Sequence, residues 1–231
     1  MTEKRVPIVE RVLSANDRIA DGNRERLEAS RIFGINIMAS PGAGKTSFIL
    51  RTIEGLAGRL RIGVVEGDTA PVTIDADKVA AAGCPAVQVN TGGGCHLDAI
   101  MLSSALPQIP LGQIDLLIVE NVGNLIYPAS WKLGTHANVL IASVPEGDDK
   151  PYKYPKIYLG MDALVLNKVD LLPYVRFGMD YFRQGVGMLN PGAAFFPLSC
   201  QSGEGFDGWL GWLQEKVEAY RLSLASGARK G

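Results

Sequence analysis

The chain has 231 residues, of which 47% are hydrophobic and 20% are charged, and this suits one α/β domain with a sizeable core. The net charge of −1 gives no field that favours nucleic acid or an anionic membrane surface, and no apolar run approaches the ~20 residues of a membrane span. The three cysteines form no short-spaced framework, and the N-terminus lacks the apolar core of a signal peptide. We therefore expect a cytoplasmic protein that binds neither nucleic acid nor membrane.

The pattern of apolar residues divides the chain into an N-terminal helix and one larger domain. Residues 1–30 contain an amphipathic helix that is expected to pack on the domain or on a partner. The domain itself is expected to span residues 31–225. The small, basic segment 223–231 is expected to fray, with the tail proper at 226–231.

Apolar runs of strand length recur through the domain, and most are separated by segments long enough for a helix. The predicted strands are 35–38, 62–65, 86–89, 116–119, 139–144, 164–166 and 193–198. Near-continuous apolar strands that alternate with helices predict an α/β fold with a mostly parallel sheet of about seven strands and helices on both faces. Ligands then bind at the carboxyl ends of the strands. The last helix, from about Phe206, places its tryptophans at helical spacing, which favours a core role over base stacking.

Residues 39–46, Ala-Ser-Pro-Gly-Ala-Gly-Lys-Thr, follow the first predicted strand and are typical of a phosphate-binding loop. In such a loop, successive backbone N–H groups and the next helix N-terminus bind the phosphates, while a lysine reaches the terminal phosphates. Ala39 replaces the usual first glycine, which is tolerated if φ stays negative. The motif predicts a P-loop NTPase three-layer sandwich. The candidate nucleotide-binding residues here are Gly42, Ala43, Gly44, Lys45, Thr46 and Ser47.

The segment Asn167-Lys168-Val169-Asp170 follows a later strand and favours a guanine nucleotide. A carboxylate at Asp170 can accept hydrogen bonds from guanine N1–H and the exocyclic amino group, which adenine does not offer in that arrangement. Asn167 would tie loops together and contact the base, and the stem of Lys168 would pack over it. The later loop that contains Ser199, Cys200 and Gln201 would contact the base edge, with Cys200 as a small loop residue.

Acidic residues at two other strand ends predict a Mg²⁺ site. Thr46, Asp68 and Glu120 are the expected ligands and rank above Glu66, since Mg²⁺ takes a few hard oxygens and retains waters. Segment 69–76 is a plausible switch, and Asp75 either orients the attacking water or caps a helix. The candidate catalytic residues are Lys45, Asp68 and Asp75.

Cys95 and His96 are adjacent at the expected opening of a helix and provide two ligands for a soft or borderline metal. The remaining candidates, His136, Cys84 and Cys200, give no obvious third ligand in the same chain. A two-fold dimer would double the pair to four ligands. The alternative is a helix start with no metal role.

Taken together, the motifs resemble those of the HypB family, the hydrogenase nickel-incorporation GTPases, which form part of the metallochaperone (SIMIBI) branch of P-loop GTPases. The resemblance runs from about residue 35 to 212. Besides the phosphate-binding and base-recognition segments, its motifs are 65–68, 89–92, 95–99, 120–125, 146–155 and 171–174. The family resembles this sequence in that the residue type at the position of Ala39 also varies among its members.

The resemblance implies a GTPase that uses GTP/GDP and Mg²⁺, dimerises with GTP, and holds Ni²⁺ or Zn²⁺ at the subunit interface before release to a hydrogenase precursor with other maturation proteins. The chain departs from the family in three places. Tyr127 stands where the family has a third cysteine ligand, and a neutral phenol is a poor substitute for a thiolate. The N-terminus lacks the cysteine motif and histidine-rich tract of some members, and the segment between Asp68 and Asp75 is one residue longer and contains Pro71.

These departures leave two alternatives to nickel delivery. One is a GTP-gated binding or assembly module that handles no metal. The other is a maturation factor for another metal enzyme or a corrinoid enzyme.

Overall fold

The computed structural model describes residues 8–69 and 74–227. Seven strands form one sheet in the order β3-β2-β4-β1-β5-β6-β7, and every neighbouring pair is parallel. They are β1 Phe33–Ala39, β2 Ile62–Asp68, β3 Ala86–Asn90, β4 Leu116–Glu120, β5 Ala137–Ser143, β6 Ala163–Asn167 and β7 Ala194–Pro197. Every strand predicted from the sequence is present.

Eight α-helices of the described chain connect or flank these strands. They are α1 Ile8–Ala29, α2 Lys45–Leu56, α3 Ile74–Ala81, α4 Ala99–Ala105, α5 Lys150–Lys153, α6 Pro155–Leu159, α7 Met179–Leu189 and α8 Phe206–Gly227. None of the helices in the described ranges is long and apolar enough to cross a membrane.

Alternate residues of the buried strands point to opposite faces of the sheet, as period-two side-chain geometry requires. In β4, Leu116 and Ile118 pack in the cluster with α2 and α8, whereas Leu117 and Val119 pack in the cluster with α4. A third cluster joins β5 and β6 to α6 and α7. The three-layer α/β sandwich is therefore confirmed.

The C-terminal helix α8 packs its tryptophans into the domain, as its helical spacing predicts. Trp209 is fully buried, and its Nε1 donates to Thr52 Oγ1 at 3.0 Å. Trp212 stacks on Trp209 with ring centroids 5.4 Å apart. These contacts make the aromatic residues part of the core.

The end of α8 differs from the expectation of a frayed segment 223–231, because the helix continues to Gly227. Arg221 lies 2.6 Å from Asp115 and ties the last turns to the domain. Ser223 and Ser226 donate their hydroxyl protons to main-chain carbonyls of the same helix, at 2.7 and 2.8 Å. Residues 228–231, the rest of the expected tail, lie outside the described residues.

Helix α1 packs mainly on α4, so the predicted N-terminal helix is attached to the domain. Its apolar residue Leu27 is fully buried, and Gly134 faces the helix backbone so closely that a Cβ there would collide with the carbonyl oxygen of Ala20. Residues 1–7, which the sequence also assigns to the N-terminal segment, lie outside the described residues.

Strand order places the functional candidates along one edge. β1 is flanked by β4 and β5, which extend the sheet in opposite directions, and this is the position where open parallel sheets bind ligands. The carboxyl ends of β1, β2, β4 and β6 are followed by the four segments that the sequence singles out for phosphate, Mg²⁺ and base binding.

Candidate functional site

The phosphate-loop candidate connects the buried end of β1 to the start of α2. Ala39 is fully buried and is not among the described residues with positive φ, so the local backbone does not require glycine at that position. Gly42 and Gly44 have φ of 77° and 98°, a region that side chains other than glycine rarely adopt. Gly44 directly precedes α2, so Lys45, Thr46 and Ser47 form the first turn, where backbone N–H groups lack helical partners.

Asn167 ties this loop to the base-recognition segment, as the sequence predicts. Its Nδ2 donates to the carbonyl of Ala43 at 2.9 Å, while its Oδ1 accepts from Lys168 N at 2.8 Å and Cys200 N at 3.1 Å. A Cβ at Gly44 would lie 2.6 Å from Asn167 Nδ2. Glycine at this position is thus what allows the loop and the asparagine to pack together.

Lys168 reaches back to the phosphate-loop candidate as well. Its φ of 64° is left-handed, and its Nζ donates to the carbonyl of Gly42 at 2.7 Å. An ion-dipole bond of this kind holds the side chain along the loop, where its aliphatic stem is available to a base. This second tie was not predicted, because the sequence does not show how close two loops 126 residues apart will lie.

Asp170 presents a buried carboxylate oxygen that no described group satisfies. It lies in a single 3₁₀ turn after β6, and its Oδ1 has no hydrogen-bond partner in the described part of the chain. Leaving such an acceptor buried is costly unless a ligand supplies donors. Two adjacent N–H donors on guanine fit this requirement.

The third loop of the predicted base-recognition region follows β7 and is held by three hydrogen bonds. Ser199 Oγ accepts from the N–H groups of Gln201 and Ser202 at 3.1 Å each, and Arg51 donates to the carbonyl of Cys200 at 2.7 Å. Burial raises the pKa of Cys200 to about 11, so its thiol stays protonated at neutral pH. A protonated thiol agrees with the prediction that Cys200 is a small loop residue.

A cavity of about 400 Å³ opens between the phosphate-loop candidate and the ends of β2 and β4. It is lined by Gly42, Gly44, Lys45, Thr46, Ser47, Glu66, Gly67, Asp68, Lys78, Glu120, Asn121 and Gly123. The cavity is small, polar and lined by both a lysine and carboxylates, which suits phosphates with a divalent cation better than an apolar ligand.

The acidic strand ends meet in this cavity because of strand register. Glu66 and Glu120 are paired neighbours on β2 and β4, and Asp68 lies two residues further along β2. Together with the Thr46 hydroxyl they supply hard oxygens of the kind that Mg²⁺ takes while it keeps several waters. Glu66, ranked lower from the sequence, lines the same cavity as the two preferred acids.

Four cavity residues were not named as candidate site residues from the sequence: Gly67, Lys78, Asn121 and Gly123. Gly123 packs against Pro41, since a Cβ there would lie 3.1 Å from the Pro41 nitrogen. The position of residues 121–123 directly after a central strand was the sequence signal that could have identified two of them.

The predicted switch segment is described only in part. Asp75 lies in the first turn of α3, whereas Pro71 and the rest of segment 70–73 lie outside the described residues. The switch and the two roles weighed for Asp75 therefore stay predictions.

The second candidate site lies around His96, in the turn that precedes α4. Cys95 Sγ lies 3.7 Å from His96 Nδ1, and the His96 ring lies 4.7 Å from that of Trp131 and 6.0 Å from that of Tyr127. Helix α4 begins only at Ala99, so the pair precedes the helix instead of opening it.

Burial lowers the pKa of His96, which keeps the ring neutral and able to ligate a metal at pH 7. No group of three or more histidine, cysteine, aspartate or glutamate side chains is arranged for a metal among residues 8–69 and 74–227. The pair therefore provides two candidate ligands in one protomer. Trp131 was not predicted as a neighbour, because nothing in the sequence links it to His96.

Asn121 connects the two candidate sites. It is fully buried, lines the nucleotide cavity and accepts through Oδ1 from the N–H of Leu97 at 2.9 Å. Its Nδ2 donates to Asn36 Oδ1 in β1 at 3.2 Å. The residue after His96 is therefore bonded directly to the wall of the nucleotide cavity.

The fold and the motifs match known proteins over most of the chain. Residues 34–197 match the model of the CobW/HypB/UreG nucleotide-binding domain. The hydrogenase maturation factor HypB of Escherichia coli K12 is 44% identical over 215 residues, which cover 93% of this chain and 74% of that protein. The same factor from Azotobacter vinelandii is 45% identical over 205 residues, which cover 89% and 67%.

Solved structures show the same similarity. The crystal structure of HypB from Helicobacter pylori in complex with nickel has a TM-score of 0.85 and 34% identity, over 89% of this chain and 96% of that one. HypB from Archaeoglobus fulgidus has a TM-score of 0.83 and 37% identity, over 89% and 100%. The chain belongs to the HypB family of hydrogenase maturation factors, within the CobW/HypB/UreG group of nucleotide-binding domains.

Proposed function

We propose that this chain is a slow GTPase that acts as a metallochaperone, carrying Ni²⁺ or Zn²⁺ as cargo for a hydrogenase precursor. The observation that carries the nucleotide part is the unpartnered, buried Oδ1 of Asp170 next to a loop pinned by Asn167. Membership of the HypB family and the nickel complex of the Helicobacter pylori relative support the metal part. We further propose that the protein works in the cytoplasm as a GTP-promoted homodimer with other maturation proteins.

The proposed reaction is GTP plus water to GDP plus phosphate. Lys45 and the first turn of α2 would neutralise the terminal phosphates, and Asp75 would orient the attacking water. Thr46, Asp68 and Glu120 would hold a Mg²⁺ ion, which supplies charge neutralisation at the phosphates. Slow turnover suits a switch, because each nucleotide state must last long enough to hold or release a dimer.

Replacing Glu120 by glutamine is expected to lower GTP turnover by about tenfold or more, and to raise the Mg²⁺ concentration needed for half-maximal activity, because one hard anionic ligand is lost. Phosphate release measured across a Mg²⁺ titration tests this. Glu54→Gln, the same change on the exposed face of α2, is the control. Unchanged turnover and Mg²⁺ dependence in the Glu120 variant would remove this residue from the proposed site.

The metal site is proposed to form across a two-fold dimer, where Cys95 and His96 of each protomer give four ligands of the type that Zn²⁺ prefers. Titration of the GTP-bound protein with Zn²⁺ and Ni²⁺, with Cys95→Ala as control, tests it. One metal per dimer at micromolar concentration, lost in the control, supports the chaperone function. No stoichiometric metal would favour the second candidate.

The second candidate is a GTP-gated assembly module without metal cargo. One departure favours it: Tyr127 stands where the resemblance to the HypB family implies a third cysteine ligand. In that case GTP would still change the oligomeric state, measured by light scattering, while metal would have no effect on it.

Replacing Tyr127 by cysteine is expected to tighten Ni²⁺ binding by about tenfold or more, because a thiolate is added beside His96, whose ring centroid lies 6.0 Å from that of Tyr127. A thiolate-to-nickel absorption band and competition with a chelator measure the gain. Tyr174→Cys, at a tyrosine that is 83% exposed, is the matched control. Equal nickel affinity in the two variants would contradict a ligand role at position 127.

A further inference from the structure

Two asparagines of α1 join the two segments that carry the candidate metal residues. Asn16 Oδ1 accepts from the N–H of Ala99 at 2.9 Å, and its Nδ2 donates to the carbonyl of Lys132 at 2.9 Å. Asn23 Nδ2 donates to the carbonyls of Ala99 at 2.8 Å and Leu133 at 3.0 Å. Both backbone polar groups of Ala99 are thus bonded to α1, and each asparagine also bonds segment 132–133.

The amide side chains are buried, so their hydrogen bonds hold the two segments in place and are not solvent-exposed surface contacts. Asn16 is 3% exposed and Asn23 is 2% exposed, and they lie seven positions apart on one face of the helix. The orientation of Asn16 is fixed by its partners, because a backbone N–H can only donate and a carbonyl can only accept. Apolar side chains would fill the same space, but they would not fix the two segments relative to each other.

The bonded backbone groups lie close to the candidate metal residues along the chain. Ala99 is three residues after His96, and Asp98 between them accepts from Met101 N at 2.8 Å to start α4. Lys132 directly follows Trp131, whose ring is 4.7 Å from that of His96. Helix α1 thereby holds both walls of the candidate metal site, although it contributes no ligand to it.

We propose that Asn16 and Asn23 are positioning residues for the metal site, fixing Cys95–His96 relative to Tyr127–Trp131 so that helix α1 sets the affinity of the site. This inference rests on the proposed metal function. It makes α1 the element whose packing sets the spacing between the two segments, since its two asparagines bond both of them.

The test uses Asn16→Asp, which keeps an acceptor for the Ala99 N–H and replaces the donor to the Lys132 carbonyl by an oxygen. We expect zinc affinity of the GTP-bound dimer to fall by about tenfold, the lower end of the effect of losing a group bonded directly to a ligand, because Asn16 acts through the backbone three residues from His96, with GTP affinity unchanged. Competition with a chromophoric chelator, at a temperature well below unfolding, measures it. Asn16→Ser, neutral and too short to reach both groups, replaces the variant if Asn16→Asp does not fold.

The control for a general loss of stability is Val186→Ala, a core truncation in α7 within the cluster around β5 and β6. A structural role alone predicts that the Asn16 and Val186 variants lose zinc affinity to the same small extent. That result, or unchanged zinc affinity in the Asn16 variant, overturns the inference.

A readout that does not need metal separates this inference from the proposed function. Amide hydrogen exchange of segments 97–101 and 131–135 is expected to accelerate in Asn16→Asp and Asn23→Asp but not in Val186→Ala. If the unaltered protein binds no zinc, the metal function fails and hydrogen exchange alone decides whether α1 positions the two segments. Exchange that is unchanged in the asparagine variants overturns it.

Discussion

The Asp170→Asn variant is expected to bind GTP roughly 10²- to 10⁴-fold more weakly than the unaltered protein and to prefer xanthosine triphosphate, because the charged acceptor is lost and only one acceptor oxygen remains for the two guanine donors. The asparagine amide offers a donor where guanine also has a donor. Xanthine carries a carbonyl oxygen in place of the exocyclic amino group and accepts that amide proton. Binding of both nucleotides by fluorescence titration or calorimetry measures the exchange of preference.

The size of this effect follows from the burial of Oδ1, which has no partner in the described part of the chain. A solvent-exposed carboxylate would exchange hydrogen bonds to water for hydrogen bonds to the base and would gain little binding free energy. Asp180→Asn, an exposed carboxylate in the first turn of α7, makes the same chemical change without this environment and is expected to leave GTP affinity within twofold, as surface changes do. Equal binding of ATP and GTP by the unaltered protein would show that this loop does not read guanine.

The Gly44→Ala variant is expected to lose GTP affinity by roughly 100-fold, because a Cβ at this position would lie 2.6 Å from Asn167 Nδ2 and displace it. Asn167 bonds three main-chain groups that join the phosphate-binding and base-binding loops. Its displacement therefore disturbs both halves of the nucleotide site. The left-handed φ of 98° adds about 1–2 kcal/mol of strain to any residue with a side chain.

The Gly58→Ala variant separates the effect of backbone strain at a positive φ from the effect of a steric collision of the added Cβ. Gly58 has a similar φ of 74°, but no heavy atom lies within 4 Å of a Cβ built there. We expect both variants to lose stability in thermal unfolding and only Gly44→Ala to lose GTP binding. If the two variants bind GTP equally well, close packing between Gly44 and Asn167 has no part in forming the site.

Asn121 gives the two sites a physical connection that the proposed chaperone function needs. Its side chain lines the nucleotide cavity and bonds the N–H of Leu97, the residue after His96. A rearrangement of segment 121–123 on nucleotide binding would reach the candidate metal residues through one hydrogen bond. Helix α1 bonds Ala99, two residues after Leu97, from the other side. Nucleotide binding and the position of α1 would therefore act on the same turn, the one that precedes α4.

Local patterns of the sequence determined the strands, the helix succession and the nucleotide motifs of this protein. Continuous apolar runs become buried parallel strands because both faces of such a sheet are covered, and the carboxyl ends of those strands share one edge whatever the loops do. That is why Lys45, Asp68 and Glu120 could be assigned to one site before any contact was known. Tyr127 was identified as a departure by a different route, because the resemblance to the HypB family implies a cysteine at that position.

Only the tertiary structure decided which distant residues meet. The ties from Asn167 and Lys168 to the phosphate-binding loop, the aromatic neighbours of His96 and the bonds from Asn16 and Asn23 to Ala99 depend on how helices and loops pack across gaps of 31 to 126 residues, a range that local periodicity does not encode. The continuation of α8 to Gly227 has the same origin, because Asp115 holds Arg221 from another part of the chain. Local chemistry sets which groups are available, and packing sets which of them act together.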